Sequence, residues 1–519
     1  MEDSKLSGDN QLTLIRQVVE CKNRDQLKQI INSLPAEKIH ELFMRENVLH
    51  SVCLSGSTDT VKCMLECMHQ DKAHELVVAQ DDKGETSLHC ASESGCTDAA
   101  KCLLDFIPPE KIHKALMVKD LKGRTPVQRA VEKNFADIAK CMLVCVSEET
   151  RWDLLSLQDN EGKTTLHSAS ENSSSHTLEV IIGFIQPELC YEAMTMQDNT
   201  EKTPLHHACE SCCKDNIKSI LDCVPIERKS DVLCLQDNEG KIPLHCGRSI
   251  YCVDIVSFIL ESVPADMRFQ LLMIKDDNGY TSLHYACEGW RANMMPVKYI
   301  LESVELLERY ELLMIQDKAG KTPLHYASKT HNKDVVKCIL DCIPMERRFA
   351  LLSVQDYLGR TSLHCGSRTH SADVVSCILE CVPADFRFQL LMVKDDDGLT
   401  SLHDASGGWS GFMLPVTCIL ESVQSKKKYE LLRVQNNEGE TPLHNICRIT
   451  GGSTYIKDFL LKLLPAEKYE LLMTQDYQGR TPLHLACAMS RGSTDPVNTI
   501  LNYIPLEVRY DTVKIDYQS

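Results

Sequence analysis

A short box of residues recurs along this chain at a nearly fixed spacing. Its clearest copy is 322–325, Thr-Pro-Leu-His, and the Thr positions of successive copies lie 39 to 41 residues apart. Two copies are altered, because Gln128 replaces the His of one and Ile242 replaces the Thr of another. A repeat of this period indicates stacked units that share one core. The intact residues of this structural repeat signature are Thr86, His89, Thr164, His167, Thr203, His206, His245, Thr281, His284, Thr322, His325, Thr361, His364, Thr400, His403, Thr441, His444, Thr481 and His484.

Each box follows a turn and opens a helix. Sequences such as Asp159-Asn160-Glu161-Gly162 precede it, and Asp, Asn and Gly are typical turn residues. The Thr hydroxyl suits a helix start, and Pro is tolerated at the first helical position because its missing N–H would have no partner there. A second helix follows, with one apolar stripe at positions 335, 336, 339, 340 and 343.

The extra length of the repeat lies in a third segment. A proline opens it, Glu346 lies in its first turn, and Met345, Phe349 and Leu352 recur at helical spacing. This pattern predicts a third helix in each repeat. Trp152 falls in the same segment of an earlier repeat and is expected in the core.

The turn, the box at 322–327 and the two helices resemble the ankyrin repeat. The resemblance implies a mostly α, ankyrin-type solenoid of about 12 repeats with short β-hairpin turns between units. The usual repeat of that family is about 33 residues, so this chain resembles a long-repeat variant with a third helix. The predicted domains are a flexible N-terminus at 1–10, a helical N-terminal cap at 11–42, the repeat array at 43–505, and a C-terminal helix end and tail at 506–519.

Charge and cysteine content limit the classes of function. The net charge of -18 argues against binding nucleic acid or an anionic membrane through bulk charge. No apolar run is long enough for membrane insertion, and the first ten residues lack the apolar region of a secretory signal. The 26 cysteines show no spacing framework, so we interpret them as reduced core residues of a cytoplasmic protein, with the nucleus as the alternative compartment.

Histidine and cysteine positions raise the question of a metal site. Cys209 and Cys212 beside His206 and His207 offer ligands for zinc, but the sibling repeats lack these cysteines. The box histidines lie one per repeat on helices about 8–10 Å apart, whereas zinc needs nitrogens at about 2.0–2.1 Å. As in ankyrin-like units, the box histidine is interpreted as a structural hydrogen-bonding residue. We therefore expect neither a metal nor a cofactor.

The residue after the turn glycine, whose place Glu201 takes in one unit, is basic in seven of eleven units. In an ankyrin-like stack these side chains would form a positive row along the concave face, able to engage an acidic partner. The alternative is a solvated turn position that merely tolerates lysine. Two related units have Tyr280 and Leu399 there, and each carries a tryptophan in an insertion, either as an exposed interface anchor or buried against a neighbouring loop. The candidate partner-binding residues are Lys163, Lys202, Lys241, Tyr280, Trp290, Lys321, Arg360, Leu399 and Trp409.

Sequence motifs of catalysis are missing. The chain has no phosphate-binding glycine loop, dinucleotide fingerprint or nucleophile elbow. We therefore expect a non-catalytic protein–protein interaction scaffold or adaptor with a protein partner and no small-molecule substrate. The alternatives are a regulatory or targeting subunit, or effector, of an enzyme supplied in trans, and a passive structural spacer.

Overall fold

The computed structural model describes residues 28–29, 36–45, 47–246, 252–288, 293–407, 414–448, 456–457, 460, 463–489 and 495–504. The described chain is mostly helical and forms two compact units, Met1–Val263 and Pro264–Ser519. In these ranges no helix combines the length and the apolar character that a membrane span requires. The predicted termini at 1–10 and 506–519, most of the cap at 11–42, and Trp290 and Trp409 lie outside the described residues.

Three kinds of helix alternate in the first unit. The first helices are Val48–Leu54, Ser87–Ser94, Pro126–Glu132, Thr165–Glu171 and Pro204–Glu210, with a 3-10 turn at Pro243–His245. The second helices are Thr58–Glu66, Thr97–Asp105, Ala136–Val144, Ser175–Ile182, Lys214–Cys223 and Val253–Glu261. The third helices are Ala36–Arg45, Gln70–Val78, Pro109–Leu116 and Glu148–Leu155, then Cys190–Thr195 and Lys229–Cys234, each preceded by a 3-10 turn at Pro187–Leu189 and Ile226–Arg228.

The second unit repeats this order. Its third helices are Ala265–Met273, Leu306–Met314, Met345–Leu352, Ala384–Leu391, Ser425–Leu432 and Pro465–Met473. Its first helices are Ser282–Cys287, Pro323–Lys329, Ser362–Arg368, Ser401–Ser406, Pro442–Cys447 and Pro482–Met489. Its second helices are Met294–Glu302, Lys333–Asp341, Ala372–Glu380, Leu414–Glu421 and Asp495–Leu501. The third helix predicted from the long repeat is thus present.

Stacking of like helices builds the core of each unit. First helices contact first helices of the next repeat, and second helices contact second helices. The predicted apolar stripe is buried, since Val335 and Ile339 are fully inaccessible. Third helices add a Leu-Leu pair such as Leu351 and Leu352, also buried. Burying one such side chain contributes about 1.5–3 kcal/mol, so the repeated stripe is the main source of stability.

Trp152 departs from the predicted core position. It is partly exposed and lines a shallow cavity together with Phe184 and Leu189. Its helix Glu148–Leu155 directs Leu154 and Leu155 inward instead, and both are buried. The prediction that Trp152 belongs to the core was therefore wrong, because a third helix buries only its narrow leucine edge.

The turns between repeats close without regular strands in the described part of the chain. The N–H of Asp356 donates to the carbonyl of Arg360 at 2.8 Å, and the N–H of Gly359 donates back to Asp356 at 2.9 Å. The Oδ1 of Asp356 accepts the N–H groups of Leu358 at 3.0 Å and Arg360 at 2.9 Å. Apart from one isolated antiparallel bridge, between Lys394 and Thr400, the described residues show no β-pairing. The expected β-hairpins are therefore side-chain-closed turns, because the aspartate accepts donors that a strand ladder would otherwise use.

Successive turns are joined at their tips. The N–H of Tyr357 donates to the carbonyl of Ala319 in the preceding turn at 3.0 Å. Gly320 has φ +75°, and a Cβ there would lie 2.6 Å from the backbone nitrogen of Tyr357. Glycine is required at this point both by its left-handed backbone and by the close approach of the next turn.

Candidate functional site

The box histidine links each repeat to the next. In the repeat of Thr322, the N–H and the hydroxyl of that residue lie 3.1 and 2.8 Å from Nδ1 of His325. Nε2 of His325 lies 3.0 Å from the carbonyl of Arg360 in the following repeat. Because a carbonyl only accepts, Nε2 carries the proton and Nδ1 accepts from Thr322. The side chain of Thr322 and the ring of His325 together form a capping box at the predicted helix start, and the hydroxyl also donates to the ring.

Burial keeps these histidines neutral. Desolvation lowers the pKa of His89, His167, His284, His364, His403 and His444 to about 4. The altered copy keeps the same contacts, since Oε1 of Gln128 accepts the N–H of Thr125 at 2.8 Å and its Nε2 donates to the carbonyl of Lys163 at 3.1 Å. The hydrogen bonds of the box are therefore the same from repeat to repeat, and the neighbouring side chains project from this constant backbone.

Two positions of each repeat meet on one surface. We call the residue after the turn glycine, whose place Glu201 takes in one repeat, the post-turn residue. The residue eight positions later is the helix-end residue. The described post-turn residues are Glu85, Arg124, Lys163, Lys202, Lys241, Tyr280, Lys321, Arg360, Leu399, Glu440 and Arg480. The described helix-end residues include Glu93, Glu132, Glu171, Glu210, Glu288, Lys329, Arg368, Gly407 and Arg448.

Post-turn cations of the first unit are paired. Lys163 Nζ lies 2.8 Å from Oε1 of Glu171, and Lys202 Nζ lies 2.6 Å from Oε1 of Glu210. Lys241 Nζ lies 2.5 Å from Glu239 within its own turn. The predicted basic residues are therefore present at the surface but neutralised by carboxylates, so in this unit they form no positive row.

An imidazole extends this pairing between two repeats. His207 Nε2 lies 2.8 Å from Oδ2 of Asp198, and its Nδ1 lies 3.1 Å from Oε1 of Glu171. Burial disfavours the charged ring, but the hydrogen bonds with Glu171 and Asp198 outweigh it and raise the pKa of His207. Burial likewise opposes ionisation of Glu171, yet hydrogen bonds from His207 and Lys163 lower its pKa to about 2. These groups form one charged network.

Aromatic side chains replace this network in the second unit. The hydroxyl of Tyr280 lies 2.6 Å from that of Tyr326, and the ring centroids are 5.2 Å apart. Tyr326 donates to Oδ2 of Asp317 at 2.5 Å, and Tyr285 donates to Oδ2 of Asp276 at 2.6 Å. Tyr280 is therefore part of a fixed aromatic cluster.

The other predicted contact residues of this unit differ in environment. Lys321 Nζ stands 5.8 Å from the ring centroid of Tyr326, and within the described ranges no carboxylate lies at ion-pair distance from it. Arg360 Nε lies 3.8 Å from Oδ2 of Asp395, at the edge of ion pairing. Leu399 is partly exposed and supplies its carbonyl to His364 at 3.2 Å.

One group of metal-type ligands occurs among the described residues. Ligand atoms of His206, Asp237 and Cys246 lie within 4.8 Å of one another, and all three residues are buried. Both ring nitrogens of His206 are already engaged, since Nδ1 lies 2.8 Å from the hydroxyl of Thr203 and Nε2 lies 3.0 Å from the carbonyl of Lys241. The histidine thus makes the same bonds as its siblings, and the cluster offers no free imidazole nitrogen.

Sequence reasoning missed two features of this surface. A glutamine precedes the turn aspartate, and its side chain bridges repeats: Gln355 Nε2 donates to the carbonyl of Lys394 at 3.0 Å. The Gln-Asp pair that recurs at seven of the eleven turns was the available signal. The second is Asp404, which stands where Tyr326 stands in its repeat and faces the turn carboxylate of Asp395. Burial, with a further contribution from Asp395, raises the pKa of Asp404 to about 7.

The repeated units of this chain match models of a known protein family. A family model described as ankyrin repeats in three copies matches residues 15–113, 253–348 and 297–389. A model of the single ankyrin repeat matches residues 478–508. Together the matches span about half of the chain. No curated protein matches the sequence.

Proposed function

Because the chain belongs to the ankyrin-repeat family, whose repeats generally serve as protein–protein interaction modules and are typically non-catalytic, we propose that it is a non-catalytic scaffold or adaptor. It binds a partner protein along the face that carries the post-turn and helix-end residues. This face corresponds to the concave face of a stack of about 12 repeats. The proposed compartment is the cytoplasm, or the nucleus, which suits a chain whose described cysteines are free thiols.

The observation that carries the proposal is a constant frame with variable side chains. The histidine bonds and the glutamine bridges recur from repeat to repeat, as at His325 and Gln355. The post-turn position, in contrast, carries Lys202, Tyr280 or Glu440 without change to the turn. A constant backbone that presents chemically different side chains at fixed intervals is suited to recognising an extended macromolecular surface.

Photo-crosslinking tests where a partner binds. A photoreactive phenylalanine analogue is placed at the helix-end position Glu132 or Arg368, or at Lys140 or Lys337 on second helices as matched exposed controls. We expect protein crosslinks from the helix-end positions in source-cell lysate and none above background from the second helices. Equal crosslinking from both sets would contradict a specific face. No crosslink from either set would favour the passive spacer, whereas an enzyme captured at the face would favour a regulatory or targeting subunit.

A further inference from the structure

Charge compensation between post-turn and helix-end residues follows a regular pattern. Arg124 pairs with Glu132 at 2.7 Å, as Lys202 pairs with Glu210 at 2.6 Å. The signs are exchanged in a later repeat, where Arg448 Nη1 donates to Oε2 of Glu440 at 2.9 Å. In each of these repeats one cation therefore faces one carboxylate across the first helix.

Two adjacent repeats of the second unit break this pattern. Their post-turn residues are Lys321 and Arg360, and their helix-end residues are Lys329 and Arg368, so all four are cations. We call these four residues the cation cluster. Within the parts of the chain that the structure describes, no carboxylate lies within ion-pair distance of Lys321, Lys329 or Arg368, and Arg360 has only the 3.8 Å approach to Asp395.

The lysines of the cluster share one aromatic surface. Their ammonium groups lie 5.8 Å (Lys321) and 5.3 Å (Lys329) from the ring centroid of Tyr326. The hydroxyl of this ring is held by Asp317 and Tyr280, so its position is fixed. Burial, together with the proximity of Lys321, lowers the pKa of Lys329, so its surroundings disfavour its charge.

Most carboxyl groups near the cluster are buried. Asp356 and Asp395 are buried, and the Oδ1 of each accepts two backbone N–H groups of its own turn. Asp404 is also buried, and its pKa near 7 leaves it partly protonated at neutral pH. The exception is Glu288 of the preceding repeat, which is partly exposed and interacts electrostatically with Lys329 and Lys321 without reaching ion-pair distance. Lys329 and Arg368 are exposed. At this surface the four cations of the cluster therefore outnumber the one partly exposed carboxylate, that of Glu288, on a protein whose net charge is -18.

We propose that the cation cluster binds a carboxylate-rich segment of a partner protein. This inference rests on the proposed function and assigns the chemistry of the partner. Carboxylates would supply the counter-charge that Glu132 and Glu210 supply within other repeats, and arginine can receive them in bidentate geometry.

The size and flanks of the cluster favour a short acidic segment over a nucleic acid. Two repeats at a helix spacing of about 8–10 Å offer room for about six extended residues at ~3.3 Å each. Acidic turns border the cluster, with Asp277 in the preceding repeat and Asp396 and Asp397 in the following one. A continuing phosphate backbone would meet these carboxylates on both sides and be repelled.

Fluorescence anisotropy with the full chain tests the proposal. The probe is a labelled peptide of about six glutamates between glycine-serine flanks, measured at about 50 mM salt because higher ionic strength screens the interaction. Its uncharged counterpart contains glutamine. The test variant is Lys329→Glu with Arg368→Glu, which introduces the charge found at the helix end of other repeats. The matched control is Lys333→Glu with Lys337→Glu, an equal charge change at exposed positions of the adjacent second helix.

The expected result is binding of the glutamate peptide alone, weakened about tenfold or more in the test variant and less than about twofold in the control. Lys329→Arg with Arg368→Lys keeps the binding, and a thermal melt checks that each variant is folded. If the test variant unfolds, Lys329→Gln with Arg368→Gln replaces it, with an expected loss of about fivefold. Equal loss in test and control variants, tighter binding of a single-stranded oligonucleotide, or no binding by the wild type overturns the proposal. Absence of peptide binding with crosslinks retained at Glu132 overturns this inference and leaves the proposed function standing.

Discussion

Lys202 and Glu210 stand eight residues apart in sequence, and the Nζ of the first lies 2.6 Å from the Oε1 of the second. The turn and the first helix bring these positions together in every repeat that uses them. Exposed ion pairs of this kind contribute at most about 1 kcal/mol each. Their main consequence here is for recognition, because a paired lysine offers little net charge to a partner.

Acid should destabilise the protein through its box histidines, and His364→Gln should reduce that effect. The pKa of His364 is about 4 when folded and about 6.5 when unfolded, so between these values the unfolded state binds more protons. Stability is therefore complete above about pH 6.5 and is lost as the pH falls towards 4. A glutamine at 364 can reproduce the contacts that Gln128 makes in its repeat.

Thermal melts at pH 7 and pH 5 test this expectation. The variant should lose less stability than the wild type between the two pH values, by about 2 kcal/mol. Gln128→His is the reciprocal variant and should become more sensitive to acid. The same pH dependence in wild type and His364→Gln would show that the box histidine does not titrate as described.

Asp404→Asn should stabilise the protein at alkaline pH. Burial raises the folded pKa of Asp404 to about 7 against about 4 when unfolded, so the folded state binds more protons between these values. The contribution of this group therefore falls as the pH rises from 4 to 7, and asparagine removes that cost. We expect a gain on the order of 1–3 kcal/mol at pH 8 and little difference at pH 4. Asp373→Asn, at an exposed position, is the control, and a gain of equal size there would contradict the account.

Gln355→Ala should weaken the coupling between two repeats. The side chain donates to the carbonyl of Lys394 in the next repeat at 3.0 Å, and also to Gly359 in its own turn. Loss of these bonds should cost about 1 kcal/mol in a thermal or urea melt. Gln389→Ala, on the exposed side of a third helix, should be nearly neutral. Equal effects of the two changes would mean that the glutamine bridge adds nothing.

Thiol labelling should follow burial. Cys145 is exposed, whereas Cys287 and Cys447 are buried and their pKa values are raised by desolvation. We expect rapid alkylation of Cys145 in the native state and alkylation of the two buried cysteines only after unfolding. Peptide mass mapping reads out each site. Intact masses that reveal several disulfides under non-reducing conditions would refute the interpretation of the cysteines as reduced core residues.

The fold could be predicted from the sequence because individual residues recur at the repeat period. Thr322 and His325 mark the helix start, and the stripe at Val335 and Ile339 marks the core. The turn geometry was less accessible, since closure by the Asp356 side chain instead of strand pairing depends on local hydrogen bonds. The pairing of Lys202 with Glu210 was present in the sequence as a spacing of eight, but its meaning depends on how the turn folds back onto the helix. For that reason the basic row was predicted without the helix-end carboxylates that compensate it.

Neutralising one helix-end residue at a time measures charge compensation most directly. Thermal stability at low salt is compared for Glu210→Gln and Lys329→Gln against the wild type. The account predicts that Glu210→Gln loses up to about 1 kcal/mol, because Lys202 loses its partner, whereas Lys329→Gln is neutral or slightly stabilising, because a repulsion from Lys321 is removed. Both effects should shrink at about 1 M salt. An equal loss from Lys329→Gln would show that Lys329 is compensated like the others and would contradict the account.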